Sequence, residues 1–127
     1  MWFLTQEGVD RYDGKYIKHY NFSDDSIKLD SRIALNWLYM DSGNILWVIG
    51  QKGRIFRYDS QHDKFKLAYI HPELIRNKPQ AFLNYGYLDK NDRIWLCYKD
   101  SITWYDIRTG TTLHMPTPVS YTHLSCR

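Results

Sequence analysis

One phrase recurs three times along the 127-residue chain, as "MWFLTQEGVDRYDG" (Met1–Gly14), "NILWVIGQKGRIFRYD" (Asn44–Asp59) and "RIWLCYKDSITWYDIRTG" (Arg93–Gly110). Its first tryptophans, Trp2, Trp47 and Trp95, are separated by 45 and 48 residues, and its closing pairs, Tyr12-Asp13, Tyr58-Asp59 and Tyr105-Asp106, by 46 and 47. Two markers at opposite ends keep one period. A third stands upstream, where Asp41 and Asp89 each precede the tryptophan by six residues in "WLYMDSGNILW" and "YGYLDKNDRIW". The repeat is therefore a whole unit, of a kind that buries its apolar face only by stacking on a neighbour.

Within each unit apolar residues alternate with polar ones between turn residues, the period of strands. Aromatic residues make up 17% of the chain, with 11 tyrosines and 5 tryptophans, and such side chains fit a pleated, half-buried surface. The second unit predicts strands at Ala34–Met40, Ile45–Ile49, Arg54–Tyr58 and Lys64–Ile70. Its first turn, Asp41-Ser42-Gly43-Asn44, is expected to take a positive φ at the glycine while Asp and Asn bond their own backbone. The third unit predicts Phe82–Leu88, Arg93–Tyr98, Ser101–Tyr105 and Thr111–Met115; the first predicts Trp2–Thr5, Val9–Tyr12 and Tyr16–Tyr20.

Four short antiparallel strands at this period are the pattern of a β-propeller blade. The fold expected is all-β, a partial β-propeller of about 2.75 four-stranded antiparallel blades of a larger ring, since closure takes about 4 to 8 blades. Residues 1–20 form a partial blade of strands two to four, 33–70 a second blade, 81–115 a third, and 116–127 are irregular. In that last stretch "VSYTHL" resembles a translated sequencing-adaptor junction, which would make His123 and Cys126 non-native; a native terminus without regular structure is the alternative.

Composition narrows the function classes. Lys plus Arg number 17 against 14 Asp plus Glu, a net charge of +3 with the signs interspersed, so nothing demands nucleic acid. No apolar run approaches the roughly 18 to 20 residues of a membrane span, and "MWFLT" is not a secretory leader. The cysteines Cys97 and Cys126 form no CxxC, and His19, His62, His71, His114 and His123 fall singly, so neither a metal nor a cofactor is expected. "DKND" (Asp89–Asp92) lacks the glycine and distal glutamate of a calcium loop. No catalytic residues are expected either: Asp41 and Asp89 read as turn caps, not as paired acid-base carboxylates.

Trp2, Trp47 and Trp95, with Tyr12, Tyr58, Tyr105, Gly8 and Gly53, read as the structural repeat, the indoles filling space between blades in preference to stacking on sugars. Ligand contacts are expected on the connections Ser23–Arg32, Gln51-Lys52, His71–Gln80 and Lys99-Asp100. Arg32, Arg76, Asn77, Lys78 and Gln80 are the candidate ligand-binding donors, suited to sugar hydroxyls or acidic groups, with solvated loops as the plain alternative.

Over about residues 1–115 the chain resembles the two-component-regulator propeller repeat, "lWxgTxxGlxryd" preceded by "xDxxGxlW" and followed by "fxxy". Leu46-Trp47, Gly53 and Arg57-Tyr58-Asp59 carry the match in the second unit, and Trp2, Thr5, Gly8 and Arg11-Tyr12-Asp13-Gly14 in the first. The third departs from it, with Lys99-Asp100-Ser101 in place of the glycine and Trp104 in place of the arginine, and Arg54 replaces a leucine in the second. The resemblance implies the periplasmic sensor region of a Bacteroidetes-type hybrid histidine kinase, without chemistry of its own. Its implied partners are an oligosaccharide ligand, the remaining blades and a homodimer mate, with no nucleic acid or membrane contact in this region. A protein-docking propeller scaffold is the other reading, with a propeller lyase or lactonase behind it.

Overall fold

A computed structural model describes residues 1–5, 8–20, 35–50, 53–70, 83–98 and 101–116. These form strands β1 (Trp2–Thr5), β2 (Gly8–Tyr12), β3 (Ile17–Tyr20), β4 (Leu35–Met40), β5 (Leu46–Gly50), β6 (Ile55–Asp59), β7 (Lys64–Tyr69), β8 (Leu83–Leu88), β9 (Arg93–Tyr98), β10 (Ser101–Asp106) and β11 (Thr112–Pro116). Each lies within one residue of its predicted bounds. They pair in sequence order into three antiparallel sheets, β1–β3, β4–β7 and β8–β11.

The turns explain the bounds. Asp41 Oδ1 accepts the backbone N–H groups of Gly43 (2.8 Å) and Ile45 (2.9 Å), and Asp89 Oδ1 accepts those of Asn91 (2.8 Å) and Arg93 (3.0 Å). Each carboxylate satisfies donors that the hairpin would otherwise leave open. The positive φ falls on Asn44 (62°) and Asp92 (57°), not on Gly43 as expected. Asn and Asp tolerate that conformation best after glycine, so the turn had two eligible positions and used the later one.

The second sheet is the middle layer. Val9 and Tyr20 of the first sheet pack with Leu35, Val48 and Phe56 of the second. From the second sheet's other face, Trp47, Ile49 and Ile55 pack with Leu88, Ile94, Leu96, Tyr98 and Tyr105 of the third. β5 is consequently buried at all five positions, which is why "LWVIG" is continuously apolar, whereas β7 keeps the alternation of a strand near an edge. Bulges adjust which side chain faces which neighbour. The irregularity between Leu35 and Trp37 sends the first toward the first sheet and the second toward the third, although the two stand two apart; its counterpart lies between Leu83 and Tyr85.

The recurring phrase has a geometric counterpart. Trp2 packs edge-on against Tyr58, ring centroids 4.9 Å apart, and Trp47 lies 6.2 Å from Tyr105. Tyr20 approaches Tyr58 at 6.2 Å, and Tyr69 approaches Tyr105 at 5.6 Å. At each junction the tryptophan and last-strand tyrosine of one sheet meet the closing tyrosine of the next. The outer faces keep one half of the pair each: Tyr12 is 41% exposed on the first sheet, and Trp95 is half-buried on the third. At Gly86 a Cβ would stand 2.9 Å from Ile49 Cδ1 and 3.1 Å from Trp37 Cε3, so only a bare backbone lets β8 close on the second sheet.

Candidate functional site

The ligand-binding candidates Arg32, Arg76, Asn77, Lys78 and Gln80 lie outside the described residues, as do Gln51, Lys52, Lys99 and Asp100. What the described residues form is a cleft of about 700 Å³ between the second and third sheets. Its walls include Arg57 and Lys66 from β6 and β7, Ser42 from the β4–β5 hairpin, and Asp92, Tyr105 and Arg108 from the third sheet. This is the side of the hairpins joining strands one to two and three to four, whereas the sequence pointed to the connections on the opposite side.

The carboxylates of the cleft are already engaged. Asp41, with one oxygen in its turn, accepts the Trp47 indole N–H on the other at 2.8 Å. Asp89 does the same for Trp95 at 2.7 Å. The six-residue spacing in the sequence thus marks a carboxylate that both caps a hairpin and fixes an indole. Partial burial pushes the Asp89 carboxyl up, but hydrogen bonds from Trp95 and from the Arg93 and Asn91 backbone outweigh it and hold it below the usual range.

Asp92 joins the two sheets. It is buried, accepts hydrogen bonds from both the backbone N–H and hydroxyl of Ser42, and receives Arg108 Nε at 3.4 Å. Its backbone carbonyl accepts the Ile107 N–H at 3.1 Å. The Ser42 hydroxyl, more than any other group, holds its carboxyl below the usual range. The sequence showed Asp92 only as part of a failed calcium loop.

The cations are less completely matched. Lys66 pairs with Asp59 at 2.8 Å, and Asp59 also meets His62 at 2.6 Å. Arg57 is exposed, stands beside Trp47 in the ladder, and has no carboxylate within ion-pairing distance among the described residues. Its charge opposes the effect of burial on the Tyr105 phenol, whose pKa nonetheless stays raised.

The junction of the first and second sheets is held by a tighter network. There Asp63 accepts hydrogen bonds from the hydroxyls of Tyr20 (2.5 Å) and Tyr58 (2.6 Å) and pairs with Lys18, while Arg11 Nη1 donates to the Tyr58 hydroxyl at 3.4 Å. Lys18 first, then the two hydroxyls, hold the Asp63 carboxyl well below the usual range. Among the described residues no three His, Cys, Asp or Glu side chains are grouped to hold a metal ion, and no helix is long and apolar enough to cross a membrane.

Neither a protein-family model nor a curated protein matches the sequence. Solved structures do. The extracellular domain of a protein assigned to the hybrid two-component systems of B. thetaiotaomicron superposes with a TM-score of 0.63 at 14% identity, over 92% of this chain and 16% of that one. A second structure, the extracellular domain of a B. thetaiotaomicron protein assigned as a one-component system, gives 0.51 at 13% identity over 92% of this chain and 23% of that one. The chain spans less than a quarter of either. At such identity the likeness is one of fold.

Proposed function

We propose that the chain is part of a β-propeller sensor region of a hybrid two-component regulator, lying outside the inner membrane and binding a ligand without transforming it. The observation that carries this reading is the superposition of 92% of the chain on an extracellular domain from such a system. The repeated tryptophan-to-tyrosine docking supports the propeller, because a contact used the same way at two successive junctions suits a ring of stacked sheets. Ligand binding would shift the arrangement of neighbouring sensor elements, and a kinase on the far side of the membrane would read the shift. Oligosaccharides are the ligand class proposed, with Arg32, Arg76, Asn77, Lys78 and Gln80 as candidate contacts.

The test is the full reading frame. A membrane span followed by a histidine kinase domain downstream is the expected finding; a stop after a few more repeats, with no span, would refute the sensor reading. Thermal-shift measurements of the complete extracellular region against an oligosaccharide panel then test the ligand class, and no shift with any member would remove it.

A further inference from the structure

The two junctions follow one plan and differ at one turn. In the ladders, Trp2 pairs with Arg11 and Arg11 with Lys18, as Trp47 pairs with Arg57 and Arg57 with Lys66. Val9 pairs with Tyr20 as Ile55 pairs with Tyr69. Arg57, Lys66 and Tyr69 of the second sheet are thus the counterparts of Arg11, Lys18 and Tyr20 of the first. At the first junction these three converge on Asp63 and Tyr58 of the next sheet.

At the second junction the counterpart of Tyr58 is Tyr105, and the counterpart of Asp63 is Gly110. Both stand five residues beyond the tyrosine in the turn to the last strand, both have positive φ (49° and 76°), and in both turns the first aspartate, Asp59 or Asp106, accepts the N–H two residues on. Gly110 carries no carboxylate, and a Cβ built there meets nothing within 4 Å. The cleft of about 700 Å³ opens at this junction, with Arg57 lacking a carboxylate partner among the described residues. The Tyr69 hydroxyl, counterpart of the one that Tyr20 gives to Asp63, is buried without a hydrogen-bond partner among the described residues.

We propose that the cleft between the second and third sheets binds a small carboxylate-bearing molecule, whose carboxylate takes the place that Asp63 fills at the first junction. At the first junction Arg11 meets the Tyr58 hydroxyl and not Asp63, but Arg57 has no carboxylate within ion-pairing distance among the described residues and is the ligand's principal partner, since a guanidinium meets a carboxylate with two parallel N–H donors. Lys66, the counterpart of the lysine on Asp63, stands beside it with its charge shared with Asp59 at 2.8 Å. Of the carboxylates in the walls, Asp92 has its charge offset by Arg108 at 3.4 Å, while Asp41 keeps its charge and turns its oxygens to the N–H groups of Gly43, Ile45 and Trp47. The volume lies within the roughly 300–1,000 Å³ typical of small-molecule sites, so the carboxylate belongs to a body of about sugar-ring size or larger. The proposal stands on the second and third sheets alone and does not depend on the sensor reading.

The experiment titrates the 127-residue chain with glucuronate, and with glucose as the neutral control, following the Trp47 indole N–H and the Arg57 Nε–H by NMR. Saturable shifts with glucuronate and none with glucose are expected. Arg57→Gln, an exposed change that leaves the core intact, should weaken glucuronate binding about tenfold or more. Gly110→Asp should supply the carboxylate internally and abolish glucuronate binding; because any side chain is strained at φ 76°, its stability is compared with Gly110→Ala, above which it should melt. No saturable shift with glucuronate, equal shifts with glucose, or binding unchanged in both Arg57→Gln and Gly110→Asp would overturn the proposal. A folded Gly110→Asp protein that melts below Gly110→Ala would also count against it.

Discussion

Replacing Gly86 by alanine tests how closely the second and third sheets approach. The added Cβ would stand 2.9 Å from Ile49 Cδ1 and 3.1 Å from both Ile49 Cγ2 and Trp37 Cε3, and Ile49 is fully buried. Inserting a methyl group into such packing costs about 1–3 kcal/mol. Against this, alanine reduces the freedom of the unfolded chain, a gain of about 0.4–1 kcal/mol. The net expectation is a loss of up to about 2.6 kcal/mol, centred near about 1.3 kcal/mol. Ile49→Val removes Cδ1, the nearest clashing atom, and by itself costs about 0.5–1.5 kcal/mol. In the double variant the two losses should fall short of their sum by at least about 0.5 kcal/mol, since the residues share one contact. Urea unfolding followed by tryptophan fluorescence on the four proteins of the cycle measures this; with a slope of about 1–3 kcal/mol per molar, Gly86→Ala alone should lower the midpoint by about half a molar. An unchanged midpoint for Gly86→Ala, or strict additivity in the cycle, would refute the close approach.

Other outcomes follow from the hydroxyls and carboxylates. Tyr69→Phe should be neutral or stabilising by up to about 1 kcal/mol, because it removes a buried hydroxyl that has no partner among the described residues, and thermal melts check it. Burial pushes the Tyr69 phenol up to about 12, so the unfolded chain releases that proton first and stability falls as pH rises from about 10; Tyr69→Phe should make this alkaline loss shallower in melts from pH 9 to 12. The depressed Asp63 carboxyl has the opposite sign: its contribution is present above about pH 4, the range in which the unfolded carboxyl titrates, and fades as pH falls through the lower folded value. Asp63→Asn should therefore lower stability at neutral pH and flatten the acid limb below pH 4, and an acid limb unchanged from the parent would contradict the network at the first junction. Asp41→Ala removes two turn hydrogen bonds and the indole partner, costing about 1–2 kcal/mol in urea unfolding, with an upfield shift of the Trp47 indole N–H as the local readout.

The strands were legible because alternation inside most elements agreed with turn residues at their ends; β5, apolar throughout because both its faces are buried, was marked by its bounding turns. The indole bonds of Asp41 and Asp89 left a trace, the fixed six-residue spacing, but spacing alone does not separate a turn cap from a side-chain contact across the hairpin. Gly43 drew the positive φ on paper because glycine permits it, while the chain placed it on Asn44, whose side chain tolerates it. The cleft was harder to foresee. It depends on which residues of one sheet face the next, and that needs the register and the bulges that carry Leu35 and Trp37 to opposite faces. That Gly110 stands where the second sheet has Asp63 is written in the sequence, yet it gains meaning only once the ladders align Arg57 and Lys66 with Arg11 and Lys18. The loop candidates came from a rule about connections, and Arg32, Arg76, Asn77, Lys78 and Gln80 fall outside the described residues.

A contact repeated at every junction carries a hazard during folding. If each tryptophan fits any closing tyrosine, a sheet that forms early can settle against the wrong partner with most of the correct aromatic contacts made. What distinguishes one address from another is the residue that is not repeated. Asp63 answers Lys18 and Tyr20 of the first sheet, while Gly86 admits Ile49 where its counterpart in the second sheet, Leu38, would not. The Ser42–Asp92 tie joins the second sheet to the third. Identity at the aromatic positions allows sheets to be copied; difference at Asp63, Gly86 and Asp92 tells the copies in which order to assemble.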